Sequence, residues 1–510
     1  MKLQLVRNAF ANLLGAAIPA VVALATVPLV VRGLGDAGYG VYTLITAIVG
    51  YFAIIDINIT AGSVKHIAAQ WAQTLQPHDQ QKAAERIDQT ITFGLLMYSA
   101  LGIAGGLAVW ASASWLVRDI FNVPAGLSAG ATAALKLAAA GFTIGQVQAY
   151  LASVPQSLMR YDRSARLDVL FGSVVPVATV LVLMAGGGLY QVILLRVVAS
   201  GVHCLLLWRT IHGLLPALRL RWPAPALRHS LLHFSAYACL NRFAAMSYAY
   251  ADKLMIGALV GVAGLALYAV AATLANRLLG LTGRLASVVF PAASALAASN
   301  ELPRLARIYL KASRYLTYIN GAMLLMIAVF SEPILQYWMS PDFARRGSTV
   351  LAVMALSQFF DALTALPSLV NDGMGHPAVT GGFALARALL GLVTVYLGVL
   401  LGGIDGAAWG HLAASMLMTA IFLRYVHGRT VPVALGAVVT GAYLPAAGLA
   451  GIGLLAWIVQ SAVTQRFACF AGIGLVTSIA LLLYGVFWIL TPADRDRVRS
   501  IWQARRSSGA

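Results

Sequence analysis

The sequence predicts an all-α integral membrane protein of about fourteen transmembrane helices, arranged as two parallel-repeat six-helix lobes plus two C-terminal helices. Three observations predict it. Of the 510 residues, 60% are hydrophobic and only 10% charged, whereas soluble domains carry roughly 25% charged residues. Apolar runs of about twenty residues recur from end to end, each long enough to cross a hydrocarbon core of roughly 30 Å. Inside lipid such a run must be helical, because only a helix satisfies its own backbone within one segment. Basic residues also gather in every second gap between the runs, as the positive-inside rule requires.

In chain order, the first span, 9–31, follows Lys2 and Arg7 and reaches Arg32 on the outer side; 39–59 returns to Lys65, Lys82 and Arg86. Spans 91–117 and 127–157 run out to Arg118 and back to Arg160, Arg163 and Arg166. Spans 167–186 and 189–209 close the first lobe at Arg209, with Arg219, Arg221 and Arg228 beyond it. Spans 232–255 and 266–294 lead to Arg304, Arg307, Lys311 and Arg314. Spans 314–338, 348–371, 378–400 and 404–426 complete the second lobe, with Arg345 and Arg346 outside and Arg424 and Arg429 inside. Spans 433–460 and 467–490 pass Arg466 and end at Arg495, Arg497, Arg499, Arg505 and Arg506. Of the 35 basic residues, 23 fall inside and five outside, so both termini are expected in the cytoplasm. The N-terminus is basic and then apolar like a signal peptide, but its apolar stretch runs past Val30 without a cleavage site, and it reads as a retained first helix.

The lobes are expected at 1–209 and 232–429, joined by a cytoplasmic linker 210–231, with the last two helices in 430–490 and a basic tail 491–510. The inside connections 60–90, 210–231 and 297–313 are long enough for helices at the interface, and 297–313 is amphipathic: Leu302, Leu305, Ile308, Tyr309 and Ala312 alternate with Arg304, Arg307 and Lys311. Two correspondences suggest the repeat. Gly35–Tyr42 aligns with Gly261–Tyr268, sharing Gly, Ala, Gly and Tyr, and Val154-Pro155-Gln156-Ser157-Leu158 pairs with Leu366-Pro367-Ser368-Leu369. Both fall on helices six apart, an even number, so the halves share one orientation.

The net charge of +18 does not indicate nucleic acid, since the basic residues sit at the ends of apolar segments and form no aromatic-rich groove. Cys204, Cys239 and Cys469 lie in apolar helices without CxxC spacing, which argues against disulfide or zinc roles. No HExxH, GxSxG, Walker A or intramembrane DxD pattern occurs, and no cofactor is implied. The outer connections near 118–126 and 339–347 are short for a membrane glycan polymerase, ligase or acyltransferase, which remains the non-transporter alternative.

Helix interiors contain six bases, Lys136, Arg196, Arg242, Arg277, Arg284 and Arg387, against three clear acids, Asp56, Asp252 and Asp361. Each such charge costs about 2.5–3.5 kcal/mol to insert, so the excess points to an anionic ligand. Arg277 and Arg284 share a helix face about 10 Å apart along the axis, and with Arg242 and Arg387 they would make a ladder for phosphates. Asp361 is a candidate for a coupling proton or cation, or equally for an arginine's partner; Asp56 has the same two readings, weighted to a structural one. Lys253 beside Asp252 reads as a local pair. His203 and His411 read as packed side chains. The turn 371–377 carries no chemistry.

The chain resembles the polysaccharide (O-antigen-type) flippases of the multidrug/oligosaccharidyl-lipid/polysaccharide exporter superfamily. The resemblance lies in Asn8 with Pro19 and Pro28, in LGDAGYGVYTLITAIVGYFAIIDINI at 34–59, in LMRYDRSARLDV at 158–169 and in ADKLMIGALVGVAGLALYAVA at 251–271. Asn58 departs from the family's glycine after the acid of the second helix. The resemblance implies a non-enzymatic flippase of the bacterial inner membrane that moves a polyprenyl-diphosphate-linked oligosaccharide by alternating access on a proton or sodium gradient. A multidrug exporter or lipid II flippase of the same superfamily is the alternative, although a drug exporter calls for an acid-rich cavity.

Overall fold

The computed structural model describes residues 2–55, 59–74, 80–225, 243–287, 293–296, 299–463, 467–496 and 500; the side chains of residues 2–16, 55, 59, 61 and most of 278–287 lie outside the description. Among the described residues all regular structure is helical. The principal elements are α1 (Lys2–Phe52), α2 (Ile59–Thr74), α3 (Gln80–Trp115), α4 (Ala125–Ser157), α5 (Tyr161–Met184), α6 (Leu189–Leu214), α7 (Asp252–Leu259), α8 (Val262–Ser287), α9 (Leu302–Val329), α10 (Ser331–Trp338), α11 (Pro341–Gly373), α12 (Pro377–Arg429), α13 (Leu435–Ala462) and α14 (Phe467–Ile489). They fall into two compact units, Met1–Ala269 and Val270–Ala510.

Nine helices among the described residues are long and apolar enough to cross a membrane, or ten if the bent pair α9 and α10 is one span. The protein is therefore an all-α multi-pass membrane bundle. Two of the nine contain breaks. The 51-residue α1 leaves helical geometry at Gly35, and the 53-residue α12 at Gly402 and Gly403. At about 1.5 Å per residue, a continuous α12 would be near 80 Å long. Instead it folds back. A Cβ on Gly398 would lie 2.1 Å from the Gly406 carbonyl oxygen, one on Gly406 would lie 1.9 Å from that of Gly398, and one on Gly410 would lie 2.1 Å from that of Thr394. These pairs are symmetric about residue 402, the signature of an antiparallel hairpin whose arms touch backbone to backbone. Small residues permit that approach between helices in lipid.

The backbone repeats itself. Gly35 and Gly261 both take positive φ, 72° and 94°, and each opens the next helix, as the sequence alignment anticipates. Helices α4 and α11 each run 33 residues. Both end in the same turn: Met159 and Gly375 have positive φ, with Arg160 N–H donating to the Pro155 carbonyl and His376 N–H to that of Asn371. The equivalence is 159 to 375, so pairing Pro155 with Pro367 places the sequences about one helical turn out of register. Gly186 and Gly403, both at positive φ, follow at matching places.

In the first unit, Tyr98 and Tyr150 stack with centroids 5.2 Å apart and are fully buried. Tyr150 donates to the Thr90 carbonyl at 3.0 Å, and Tyr98 meets the Thr60 hydroxyl at 2.5 Å, tying α2 to α3. Beyond α6, the Arg219 N–H donates to Asp88 and the Arg221 guanidinium to Glu85, so this part of the chain packs on the start of α3. Asp252 pairs with Lys253 at 3.3 Å, as its neighbour in sequence suggests, and also accepts from Tyr268 at 2.8 Å. Cys204 and Cys469 are free thiols, and Cys239 lies outside the described residues.

In the second unit, the amphipathic stretch is not a separate surface helix. It is the first part of α9, with Leu305 and Tyr309 buried, and it continues straight into a span. The expected span 314–338 breaks at Phe330, where α10 turns away from α9 by 69°. At the basic end of α9, Lys311 donates to Asp494 at 2.6 Å, Thr491 donates to the same carboxylate at 2.6 Å, and Tyr315 donates to it as well. These donors hold the Asp494 carboxyl well below the usual carboxylate range, Lys311 first. Because the folded value is depressed, the docking contribution is complete above the ordinary aspartate value of about 3.9 and is lost as pH falls through the folded value. The protection of residues 491–496 against hydrogen exchange, relative to the unstructured rate at the same pH, is expected to be high at pH 7 and to fall only below about pH 4. Asp494→Asn should make it low throughout, and high protection in that variant would refute the docking.

Candidate functional site

Among the described residues of the second unit, a polar cluster is assembled by α11 and both arms of α12. The i, i+4 spacing of Ser357 and Asp361 places them on one face of α11, and that of His411 and Ser415 places them on one face of the second arm. Arg387 comes from the first arm. Its Nε and one terminal nitrogen face the two Asp361 oxygens at 3.4 Å each, and it donates to the Ser415 hydroxyl at 2.5 Å. Ser415 in turn donates to Asp361 at 3.1 Å. His411 Nδ1 lies 2.8 Å from the Ser357 hydroxyl and 3.4 Å from the guanidinium, and Ser357 also lies 2.7 Å from Ser415. Ser357 and Ser415 are fully buried, and Arg387 is 9% exposed. The guanidinium can only donate, so in its contact with His411 the Nδ1 atom is the acceptor. Beside them the Gln358 side-chain oxygen is buried with no hydrogen-bond partner.

Chemically this is a fixed cation, a carboxylate held at longer range than the 2.7–2.9 Å of a tight charged hydrogen bond, and hydroxyls able to donate or accept. A buried pair of this kind stabilises little by itself, but loses several kcal/mol if one partner is removed.

The first unit carries a counterpart. His203, on α6, is buried, accepts from the Gln148 amide of α4 at 3.0 Å, and lies 3.7 Å from Asp168 of α5; Ser200 donates to the Gln148 oxygen. Phe171 stacks on His203, with centroids 4.4 Å apart and rings 3° from parallel. Phe171 and Arg387 are each the eleventh residue of their helices, α5 and the first arm of α12. One scaffold position therefore presents an aromatic ring to a histidine in one unit and a guanidinium to a histidine in the other.

Among the described residues of the sequence-derived site, Arg387 and Asp361 meet each other, and the expected excess cation at Arg387 is compensated. Arg196 lies on the Tyr42 ring, 5.6 Å from its centroid, and donates to its hydroxyl. Lys136 sits 4.9 Å above the Trp110 ring. Aromatic faces thus take two cations that a count of acids alone leaves unbalanced. Arg277 is exposed on α8. Arg242, Asp56 and the Arg284 side chain lie outside the described residues. The histidines, read from sequence as packing, turn out to be hydrogen-bonded centres, and Ser357 and Ser415 carry no sequence signal beyond their spacing from Asp361 and His411.

A family of polysaccharide biosynthesis proteins matches residues 29–346 of the sequence. The chain belongs to this family. Its described helices form a polytopic membrane bundle with the fold of the superfamily named from the sequence. A candidate O-antigen transporter of Shigella flexneri is 22% identical over 459 residues, covering 84% of this chain and 98% of that protein. The inward closed structure of the lipid II flippase MurJ is similar with a TM-score of 0.71 at 12% identity, covering 93% of this chain and 98% of that one. An inward-facing multidrug resistance transporter of the MATE family gives a TM-score of 0.67 at 14% identity, covering 84% and 98%. At these identities the two structures are likenesses of fold.

Proposed function

We propose that this family member is a flippase that moves a polyprenyl-diphosphate-linked oligosaccharide across the bacterial inner membrane by alternating access between two six-helix lobes, 1–209 and 232–429, for cell-surface polysaccharide assembly. The proposal includes fourteen spans, with 430–490 as the last two, and both termini in the cytoplasm. The observation that carries it is the buried Arg387, an intramembrane cation that faces its carboxylate partner at 3.4 Å.

A diphosphate offers the planar guanidinium a doubly charged, two-pronged partner at shorter range than Asp361 provides. Binding would transfer Arg387 from carboxylate to phosphate and leave Asp361, still bonded by Ser415, as acceptor for the coupling proton or sodium ion. Substrate and ion would then compete for one arginine–aspartate pair, which couples them. Arg277, Arg284, Arg242, Arg196 and Lys136 are further proposed phosphate contacts, and Asp56 a second ion site. Reconstitution tests this directly: proteoliposomes holding a fluorescent polyprenyl-diphosphate glycan should move label to the opposite leaflet when an ion gradient is imposed. Collapse by a protonophore or by a sodium ionophore identifies the ion. Label that stays in place under both gradients refutes the flippase.

A further inference from the structure

The bend between α9 and α10 creates a cavity at one end of the second unit. After turning by 69°, α10 crosses the ends of α13 and α14 and closes a space of about 310 Å³. Glu332 and Gln336 of α10, Trp457, Gln460 and Ser461 of α13 and Phe470 of α14 line it. Tyr337 stacks on Phe470 with centroids 5.8 Å apart and rings 19° from parallel, which fixes an aromatic wall. The Gln460 side-chain oxygen is buried and has no hydrogen-bond partner. An unpaired buried acceptor costs about 1–3 kcal/mol, and a small turn of the Gln460 amide would bring it to a ligand hydroxyl.

The lining suits one ligand class. Amides, a carboxylate and a hydroxyl alternate donors and acceptors as a polyol needs, and flat rings offer a surface for the apolar face of a pyranose. Among the described residues no basic side chain lines the cavity. A volume near 300 Å³ is at the small end of ligand sites, right for one sugar unit. The cavity lies at the end of the unit opposite the basic start of α9, which carries Arg304, Arg307 and Lys311, and that basic end belongs in the cytoplasm. We infer that this cavity is a sugar-binding site that takes one hexose or N-acetylhexosamine unit of the glycan on the side to which it is delivered. The inference rests on the flippase reading and names a contact within it.

The protein is purified without glycoside detergents, placed in phosphatidylcholine nanodiscs, and probed by saturation-transfer NMR with the methyl glycosides of glucose, galactose, mannose, N-acetylglucosamine and N-acetylgalactosamine. At least one should bind at millimolar concentration. Gln460→Leu and Trp457→Ala should each weaken it by about tenfold or more, the loss of one good contact, while Trp457→Phe keeps it. The retained binding in that last variant shows that the helices are intact. No transfer to any of the five, or binding unchanged in both weakened variants, overturns the inference. So does loss of sugar binding on adding phosphatidylglycerol, which would mark a lipid headgroup site. Parallel glycan translocation in proteoliposomes separates the two readings: translocation without sugar binding sinks only the cavity, and sugar binding without translocation sinks the flippase.

Discussion

Arg387→Ala is expected to stop glycan translocation and to destabilise the second unit. It strips the largely buried Asp361 of the Arg387 guanidinium, and breaking a buried pair on one side costs about 3–5 kcal/mol. If the same contact is made with phosphate during transport, the rate should fall by about a hundredfold, at about 1.4 kcal/mol per factor of ten. Two further variants separate stability from transport. The double change Arg387→Met with Asp361→Leu removes both charges and should regain thermal stability while remaining inactive. Arg387→Lys keeps a charge but loses the two-pronged geometry, and should retain part of the activity. Wild-type transport by the double variant would show that the pair is structural only.

Gly406→Val is expected to prevent formation of the folded protein. Any Cβ there meets the Gly398 carbonyl at 1.9 Å, backbone against backbone, with no side chain to rotate away. The arms of α12 would have to separate, which moves Arg387 on one arm from His411 and Ser415 on the other. Overpacking of ordinary cores costs about 1–3 kcal/mol and occasionally more, and a backbone clash belongs at the upper end. Gly402→Ala is the control: φ there is −155°, and a Cβ meets nothing within 4 Å. Monodispersity on gel filtration and the melting temperature should both collapse for Gly406→Val and hold for Gly402→Ala. Equal behaviour of the two would refute the hairpin.

The helical membrane fold was legible because insertion into lipid leaves so few options: apolar length and the placement of Lys and Arg carry it almost alone. The equivalence of Gly35 and Gly261 was legible too, because a positive φ restricts the residue type. The register near Pro155 and Pro367 was not, since a proline is tolerated at several places in the last turns of a membrane helix, and only the turn residues Met159 and Gly375 fix it. Of the site, Arg387 and Asp361 stood out singly as intramembrane charges, but nothing in sequence joins residues 26 positions apart across two helices. Counting only ionised groups also concealed Tyr42 and Trp110 as partners of Arg196 and Lys136.

The glycine turn of α12 bears on how the chain enters the bilayer during synthesis. The two arms are joined by a reversal of very few residues, and no lysine or arginine lies between Arg387 and Arg424 to anchor the tip in either aqueous compartment. The first arm therefore has no basic topogenic residue at its far end, and Arg424 and Arg429, beyond the second arm, are the next such charges to emerge from the ribosome. The two arms would then pass from the translocon into lipid as one preassembled pair, the second giving direction to the first.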